Sequence, residues 1–329
     1  MAKDIFIFCE QRDGALANVS FELVGIATEL AKTTGEKVCC VVLGSKTKGL
    51  AEQLIGYGAD KVFVAEDKEF GHYTTEAYAQ GVYQIVKKEQ PNIMLFGATT
   101  IGRDLAPKLS ARLHTGLTAD CTKLEADAEG NLFMTRPAFG GNLFATIVCP
   151  ENKPQMSTVR PGVMKKNAFD ANRKGETEAV SVIFDKSKFL VKVVEEVKSE
   201  TFAEKIEDAK ILVSCGRGVG TEENLGKIRK FAKKIGACVS SSRALVDACK
   251  MDQGCQVGQT GKTVRPDVYI AMGISGAVQH LAGMEESEFI IAINKDKTAP
   301  IFSVAHLGVV GDAMKILPYL EEEILAAKR

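Results

Sequence analysis

The sequence predicts an α/β protein of two domains: an N-terminal doubly wound parallel sheet with added antiparallel strands, followed by a C-terminal parallel α/β domain. Three observations predict it. Short apolar runs alternate with helix-spaced amphipathic segments from residue 5 to residue 113. Strand-like segments with turn-rich connections then follow one another without helices, and the alternation restarts at residue 211. Such alternation marks parallel βαβ units. The length of 329 residues suits about two domains.

In order, Ile5–Cys9 is a continuous apolar run, as a buried strand requires. Asn18–Lys32 has helical spacing, Lys37–Leu43 is a second buried strand, and Lys46–Tyr57 is helical with Gly58 as its left-handed cap. Strand Lys61–Ala65, helix Thr74–Glu89, strand Asn92–Phe96 and helix Arg103–Leu113 continue the pattern. Thr118–Glu125, Leu132–Arg136, Leu143–Cys149 and Gln155–Val159 read as a meander or hairpin extension, with turns at Glu129–Asn131 and Gly140–Asn142. Ala179–Phe184 and Phe189–Val197 read as two more strands.

A polar stretch, residues 198–210, divides the domains at 1–200 and 201–329. Beyond it come strand Ile211–Cys215, helix Glu222–Ile235, strand Ala237–Ser240 and helix Arg243–Lys250. Strand Asp267–Met272, helix Gly276–Gly283, strands Glu288–Asn294 and Ile301–Val304, and a closing helix Asp312–Lys328 complete the chain.

Composition excludes several functions. The 42 basic and 42 acidic side chains cancel, and no basic stripe offers a nucleic-acid footprint. The nine cysteines include no C-x-x-C and no zinc spacing, so they read as small core side chains in a reducing compartment. The chain enters a strand pattern at Asp4, with no signal or transit segment and no membrane-spanning run, and is read as cytoplasmic.

Three glycine-rich segments of the C-terminal half carry the chemistry. Cys215-Gly-Arg-Gly-Val-Gly220 joins a strand to a helix, where glycines admit a phosphate to a helix N-terminus. The next strand ends in Ser240-Ser-Ser-Arg243, with no ribose-binding acid, so the segment is not a full dinucleotide fingerprint and is equally an ordinary βα turn. Gly273-Ile-Ser-Gly-Ala-Val-Gln-His280 follows another strand, with Ser275 as a candidate helix cap and His280 one turn in. A lone histidine is more often a satisfied core side chain, but this one of four lies beside glycine-rich backbone. Gln256-Val-Gly-Gln-Thr-Gly-Lys262 is a polar loop that could face a heterocycle edge or only solvent.

Together these segments resemble the FAD domain of the electron-transferring flavoprotein α subunit. Ile291-Ala-Ile-Asn-Lys-Asp296 and Ala299-Pro-Ile-Phe302 extend the resemblance, as do Gly102-Arg-Asp-Leu-Ala-Pro107 and Thr115-Gly-Leu-Thr-Ala-Asp120 in the first domain. It implies FAD contacts at Arg217, Ser242, Arg243, Val257, Gly258, Gln259, Thr260, Ser275, Gly276, Ala277, Val278, Gln279, His280, Asn294 and Asp312. Arg243 would lie against the isoalloxazine, Thr260 would bond N5, and His280 would meet the N1/C2-carbonyl edge. Ser275 and glycine-flanked backbone would take the pyrophosphate, and Asn294 and Asp312 the adenosine end. Asn294 could also simply end its strand, and Asp312 cap the closing helix.

Negative charge arriving with an electron would be favoured by Arg243, which is permanently charged, and by His280, which can be. The resemblance implies an electron carrier without a catalytic acid/base pair or a metal. It would pair with a β subunit holding a second FAD or AMP, and exchange electrons with acyl-CoA dehydrogenases or similar flavoenzymes. The family's FAD domain swings, which a linker near 198–210 would suit.

Thr115–Thr122 and Arg136–Asn142 look more like the anaerobic and nitrogen-fixer branch, some of whose members bifurcate electrons from NADH. Arg136 is the candidate for reaching a second flavin; alternatively it is a hairpin arginine that holds the β subunit. Two other readings remain open here: a self-contained NAD(P)-dependent oxidoreductase, which the absent ribose acid opposes, and a nucleotide-binding sensor without redox function.

Overall fold

The computed structural model describes residues 2–138, 143–197 and 206–327. The chain forms two compact units, Met1–Val197 and Lys198–Arg329. The first contains β1 (Ile5–Phe8), β2 (Gln11–Arg12), β3 (Ala15–Leu16), α1 (Asn18–Thr34), β4 (Val38–Gly44), α2 (Leu50–Tyr57), β5 (Lys61–Glu66) and α3 (Thr75–Glu89). It continues with β6 (Ile93–Gly97), α4 (Thr100–Leu113), β7 (Leu117–Cys121), β8 (Lys123–Ala126), β9 (Leu132–Ala138), β10 (Leu143–Ile147), β11 (Gln155–Val159) and β12 (Glu176–Ala179).

Seven strands form one sheet in the order β12-β5-β4-β1-β6-β11-β7, and every pair in it is parallel. Successive side chains point to opposite faces, so a strand covered on both sides must be apolar throughout. Accordingly Ile5 and Ile7 pack with α1 and α2, while Phe6 and Phe8 pack with α3 and α4.

Four expectations need correction in this unit. The segments around β7 and β11 are not parts of a meander. They pair in parallel inside the main sheet, and only β8, β9 and β10 form the antiparallel extension. The turn expected at 140–142 lies outside the described residues. Helix α2 starts at Leu50 rather than Lys46, because Gly49 before it has φ +80°.

Of Ala179–Phe184 only Ala179 is strand, at the end of β12, and Phe189–Val197 forms none. Phe189 packs against the core beside Phe184, but Leu190, Val191, Val194 and Val197 beyond it are exposed, so the apolar alternation finds no partner strand among the described residues. The polar stretch 198–210 lies partly outside the described residues. Within it, Ile206 is buried in the second unit's core.

The second unit contains β13 (Ile211–Cys215), α5 (Glu222–Ile235), β14 (Cys238–Ser241), α6 (Arg243–Asp247), β15 (Val268–Met272), α7 (Val278–Leu281), β16 (Phe289–Asn294), β17 (Leu307–Val310) and α8 (Ala313–Ala327). Its sheet is parallel, in the order β14-β13-β15-β16-β17. Thr221 caps α5 by accepting from Asn224 N at 3.2 Å, and Gly236 ends it at φ +70°. The strand expected at Ile301–Val304 is a 3-10 turn opened by Pro300, and the fifth strand is the exposed edge segment Leu307–Val310.

Candidate functional site

In the second unit the chain runs from β13 to β14 on one side and then crosses to β15 on the other. Open parallel sheets bind ligands beyond the carboxyl ends of their strands at such a switch point. The loops after β13 and β15 meet there and wall a cleft of about 660 Å³. That is the size of a small-molecule or cofactor site.

The glycines have a more specific use than admitting a phosphate. A Cβ on Gly216 would lie 2.1 Å from Gly273 O, and one on Gly276 would lie 2.2 Å from Ile301 N. Bare backbone lets the loops pack on each other. The third segment docks by main-chain bonds. Val257 N donates to Ser241 O at 2.9 Å, and Gln259 N donates to Gln279 O at 2.7 Å.

All the candidate residues of this unit line the cleft except Val278 and Asp312. Val278 opens α7 and points to solvent. Asp312 accepts from Met314 N at 2.9 Å and pairs with Lys295 at 3.0 Å, which together hold its carboxyl below the usual range. Asn294 lines the cleft with both side-chain ends engaged, donating to Ile274 O at 2.8 Å and accepting from Asp296 N at 2.9 Å. Arg136 belongs to the first unit, on β9 opposite Ala145, with its Nε buried and unpaired among the described residues.

Two local expectations change. Ser275 does not cap a helix: α7 is a single turn whose cap position is Ala277, with no side-chain cap bond. An anion held at this turn would therefore meet loop backbone rather than a helix dipole. None of the N–H groups from Ser275 to Gln279 donates to a backbone carbonyl among the described residues. His280 is also not a ready cation. Burial pushes its pKa down to about 4, partly offset by the Val257 backbone, so it is neutral near pH 7.

The charged lining residues of the cleft are Arg217 and Arg243, with no carboxylate among them. Arg243 is exposed, and its Nε donates to Asp247 Oδ2 at 3.2 Å. Thr260 Oγ1 accepts from Gln256 Nε2 at 3.0 Å, which leaves the hydroxyl proton free to donate elsewhere. The sequence motif assigns Gln256 no role, and its neighbour Val257 gives no hint that Gln256 is buried and turned toward Thr260. Unpaired N–H groups, two arginines and polar groups over an apolar floor fit an anionic, heterocyclic dinucleotide.

Fold and cleft thus define an α/β protein built to hold a dinucleotide. Residues 5–185 match the electron transfer flavoprotein domain, and residues 205–285 match the electron transfer flavoprotein FAD-binding domain. The chain is 49% identical over 326 residues to electron transfer flavoprotein subunit alpha of Thermoanaerobacterium thermosaccharolyticum, covering 99% of each chain. It is 45% identical over 354 residues to the acryloyl-CoA reductase electron transfer subunit beta of Anaerotignum propionicum, covering 99% of this chain and 96% of that one. It is 42% identical over 318 residues to the lactate dehydrogenase (NAD(+),ferredoxin) subunit LctC of Acetobacterium woodii, covering 97% and 76%. The chain belongs to the electron transfer flavoprotein α-subunit family, and it binds FAD. No described helix is long and apolar enough to cross a membrane.

Proposed function

We propose that the chain holds one FAD in the switch-point cleft and passes electrons between that flavin and partner flavoenzymes of the acyl-CoA dehydrogenase type, as the α subunit of a heterodimer. The observation that carries the site is the cleft itself: free N–H groups and two arginines converge where an open parallel sheet binds its ligand. Bound FAD supplies the redox chemistry, and the protein supplies position and electrostatics.

In this reading Arg243 lies along the isoalloxazine and offsets negative charge, Thr260 donates to N5, and neutral His280 serves the N1/C2-carbonyl edge. Ser275 and the N–H groups of Gly276, Ala277 and Gln279 take the pyrophosphate. Asn294 holds the adenosine end, and Val278 and Asp312 support it from outside the cleft. Residues 1–200 form the domain that contacts the β subunit, and 201–329 form the FAD domain. The exposed Leu143, Phe144, Ile147 and Val148 on and after β10 support the first assignment, since apolar patches mark partner sites.

A sharper reading is electron bifurcation from NADH, with a second FAD in the β subunit (AMP in a simple carrier) and Arg136 reaching toward it. The names of the LctC and acryloyl-CoA reductase relatives support it, one naming NAD(+) and ferredoxin and the other an acyl-CoA reductase. The test is a cofactor count on the chain co-expressed with its partner subunit. One FAD per heterodimer is expected of a simple carrier. Two FAD, bleached by NADH, would establish the bifurcating reading. A well-folded complex without flavin would overturn both.

A further inference from the structure

Behind the cleft lies a group of buried hydroxyls that the FAD contacts do not use. Ser214 of β13 and Ser240 of β14 pair in register, and Tyr269 of β15 pairs with Leu212, two residues before Ser214. Residues in register or two apart share a face of a sheet. All three side chains are fully buried. The Tyr269 hydroxyl lies 3.0 Å from His280 Nε2. The other ring nitrogen, Nδ1, is buried and makes no well-formed hydrogen bond among the described residues, with the Val257 backbone beside the ring.

We propose that Tyr269 is a positioning residue for the flavin site: its hydroxyl donates to His280 Nε2 and thereby fixes the neutral tautomer that carries its proton on Nδ1. This rests on the reading of His280 as a flavin contact. A neutral imidazole has one donor and one acceptor nitrogen, and the partner of one sets the proton on the other. The N1/C2-carbonyl edge of oxidised flavin offers only acceptors, so the nitrogen that serves it must carry hydrogen. Nδ1 makes no well-formed protein bond, and the Val257 backbone beside the ring also favours hydrogen on it, so Nε2 is the acceptor from Tyr269.

The phenol can supply that proton. Burial raises its pKa well above the ordinary tyrosine value, so it stays protonated. The Ser214 and Ser240 hydroxyls lie beside it without a well-formed bond of their own, free to turn and donate to the phenol oxygen. The donors then run in one direction, serine to tyrosine to histidine to flavin. Hydrogen bonds aligned head to tail polarise one another.

The test uses the full chain labelled with 15N-histidine, with and without FAD, the His280 signal being identified by its loss in His280→Gln. The expected result is the Nδ1–H tautomer at neutral pH in the unsubstituted chain, and a tautomer mixture in Tyr269→Phe, which keeps the buried ring. FAD affinity should fall about three- to tenfold in Tyr269→Phe, the range of one hydrogen bond, and fall no further when that change is added to His280→Gln. An Nε2–H tautomer in the unsubstituted chain would overturn the proposal, as would an equal loss of affinity in both backgrounds. Failure to bind FAD at all would instead remove the reading of the cleft, while the tautomer still decides the role of Tyr269.

Discussion

The two units are built on one plan, and they differ at the same point of it. Each is an open parallel sheet whose first strand lies between the second strand and a later one, so each has a switch point. In the first unit the residue two positions past β1 is Glu10, buried beside the first turn of α4. Thr99 Oγ1 donates to its carboxylate, and Arg12 approaches it at 3.3 Å. In the second unit β13 is followed at once by Gly216, and the loop beyond β15 leaves the N–H groups of Ser275 to Gln279 without a backbone acceptor among the described residues. A buried carboxylate opposes a phosphate, whereas free N–H groups attract one. The topology offers a crevice twice, and the residues at its mouth decide its use.

The comparison breaks first at Gly276. It has φ +85°, and a Cβ there would meet the Ile301 backbone nitrogen, which no side-chain motion relieves. Gly276→Val should weaken FAD binding at least about 100-fold, equal to about 2.7 kcal/mol, as measured by released flavin. Gly226→Ala is the control within the same unit. Its Cβ meets nothing within 4 Å, so it should stabilise the helix α5 by about 0.5–1 kcal/mol and leave flavin content unchanged. Equal flavin content in Gly276→Val and the unsubstituted chain would remove the loop from the site.

These glycines show what the sequence could disclose. The runs β1, β4 and β6 were legible because strands buried on both faces are apolar throughout. The segment 189–197 carries the same kind of signal but lacks a partner, and pairing is not written in one strand's own residues. Leu307–Val310 was missed for the opposite reason: an edge strand with Gly308 at its centre is short and half exposed. At the site, residue types and their grouping were legible. The side-chain bonds from Gln256 to Thr260 and from Tyr269 to His280 were not, since they depend on how an irregular loop folds back and on how α7 packs against β15.

A second contrast is in pH response. Burial raises Glu22, which accepts from Gly162 N at 2.8 Å in the first unit, from 4.5 to about 7. The folded unit therefore holds a proton that the unfolded chain releases. That stability is fully present below pH 4.5 and is lost as pH rises through 7. His280 in the second unit moves the other way, from 6.5 to about 4. Its stability is present above pH 6.5 and is lost as pH falls through 4. Each is worth about 3 kcal/mol. Melting curves should show Glu22→Gln stabilising the chain at pH 8 and not at pH 4.5. His280→Gln in the flavin-free chain should stabilise at pH 4.5 and not at pH 8. Parallel pH profiles for the two variants would refute the contrast.

Arg243 sharpens the charge side of the comparison. If one charge-assisted bond strengthens by about 1.5 kcal/mol when the flavin takes an electron, its loss lowers a one-electron potential by about 65 mV. Arg243→Ala should show a drop of that order in a redox titration, and an unchanged potential would take Arg243 out of the site. Asp247 already engages the Arg243 Nε, so Asp247→Asn should raise the potential by a smaller amount.

The smallest expected effect belongs to Gln256, and it is the most specific. Its amide nitrogen donates to Thr260 Oγ1, so the hydroxyl cannot point its proton back at the amide and must offer it elsewhere. Gln256→Leu keeps the buried volume and removes only that constraint, so the hydroxyl is free to rotate. Affinity for FAD should fall about two- to fivefold, and the visible spectrum of the bound flavin should shift as the donor at N5 is lost part of the time. Thr260→Val should give the same spectral shift, and combining the two changes should add nothing, because both act through one hydrogen. Additive shifts would mean that Gln256 touches the flavin directly.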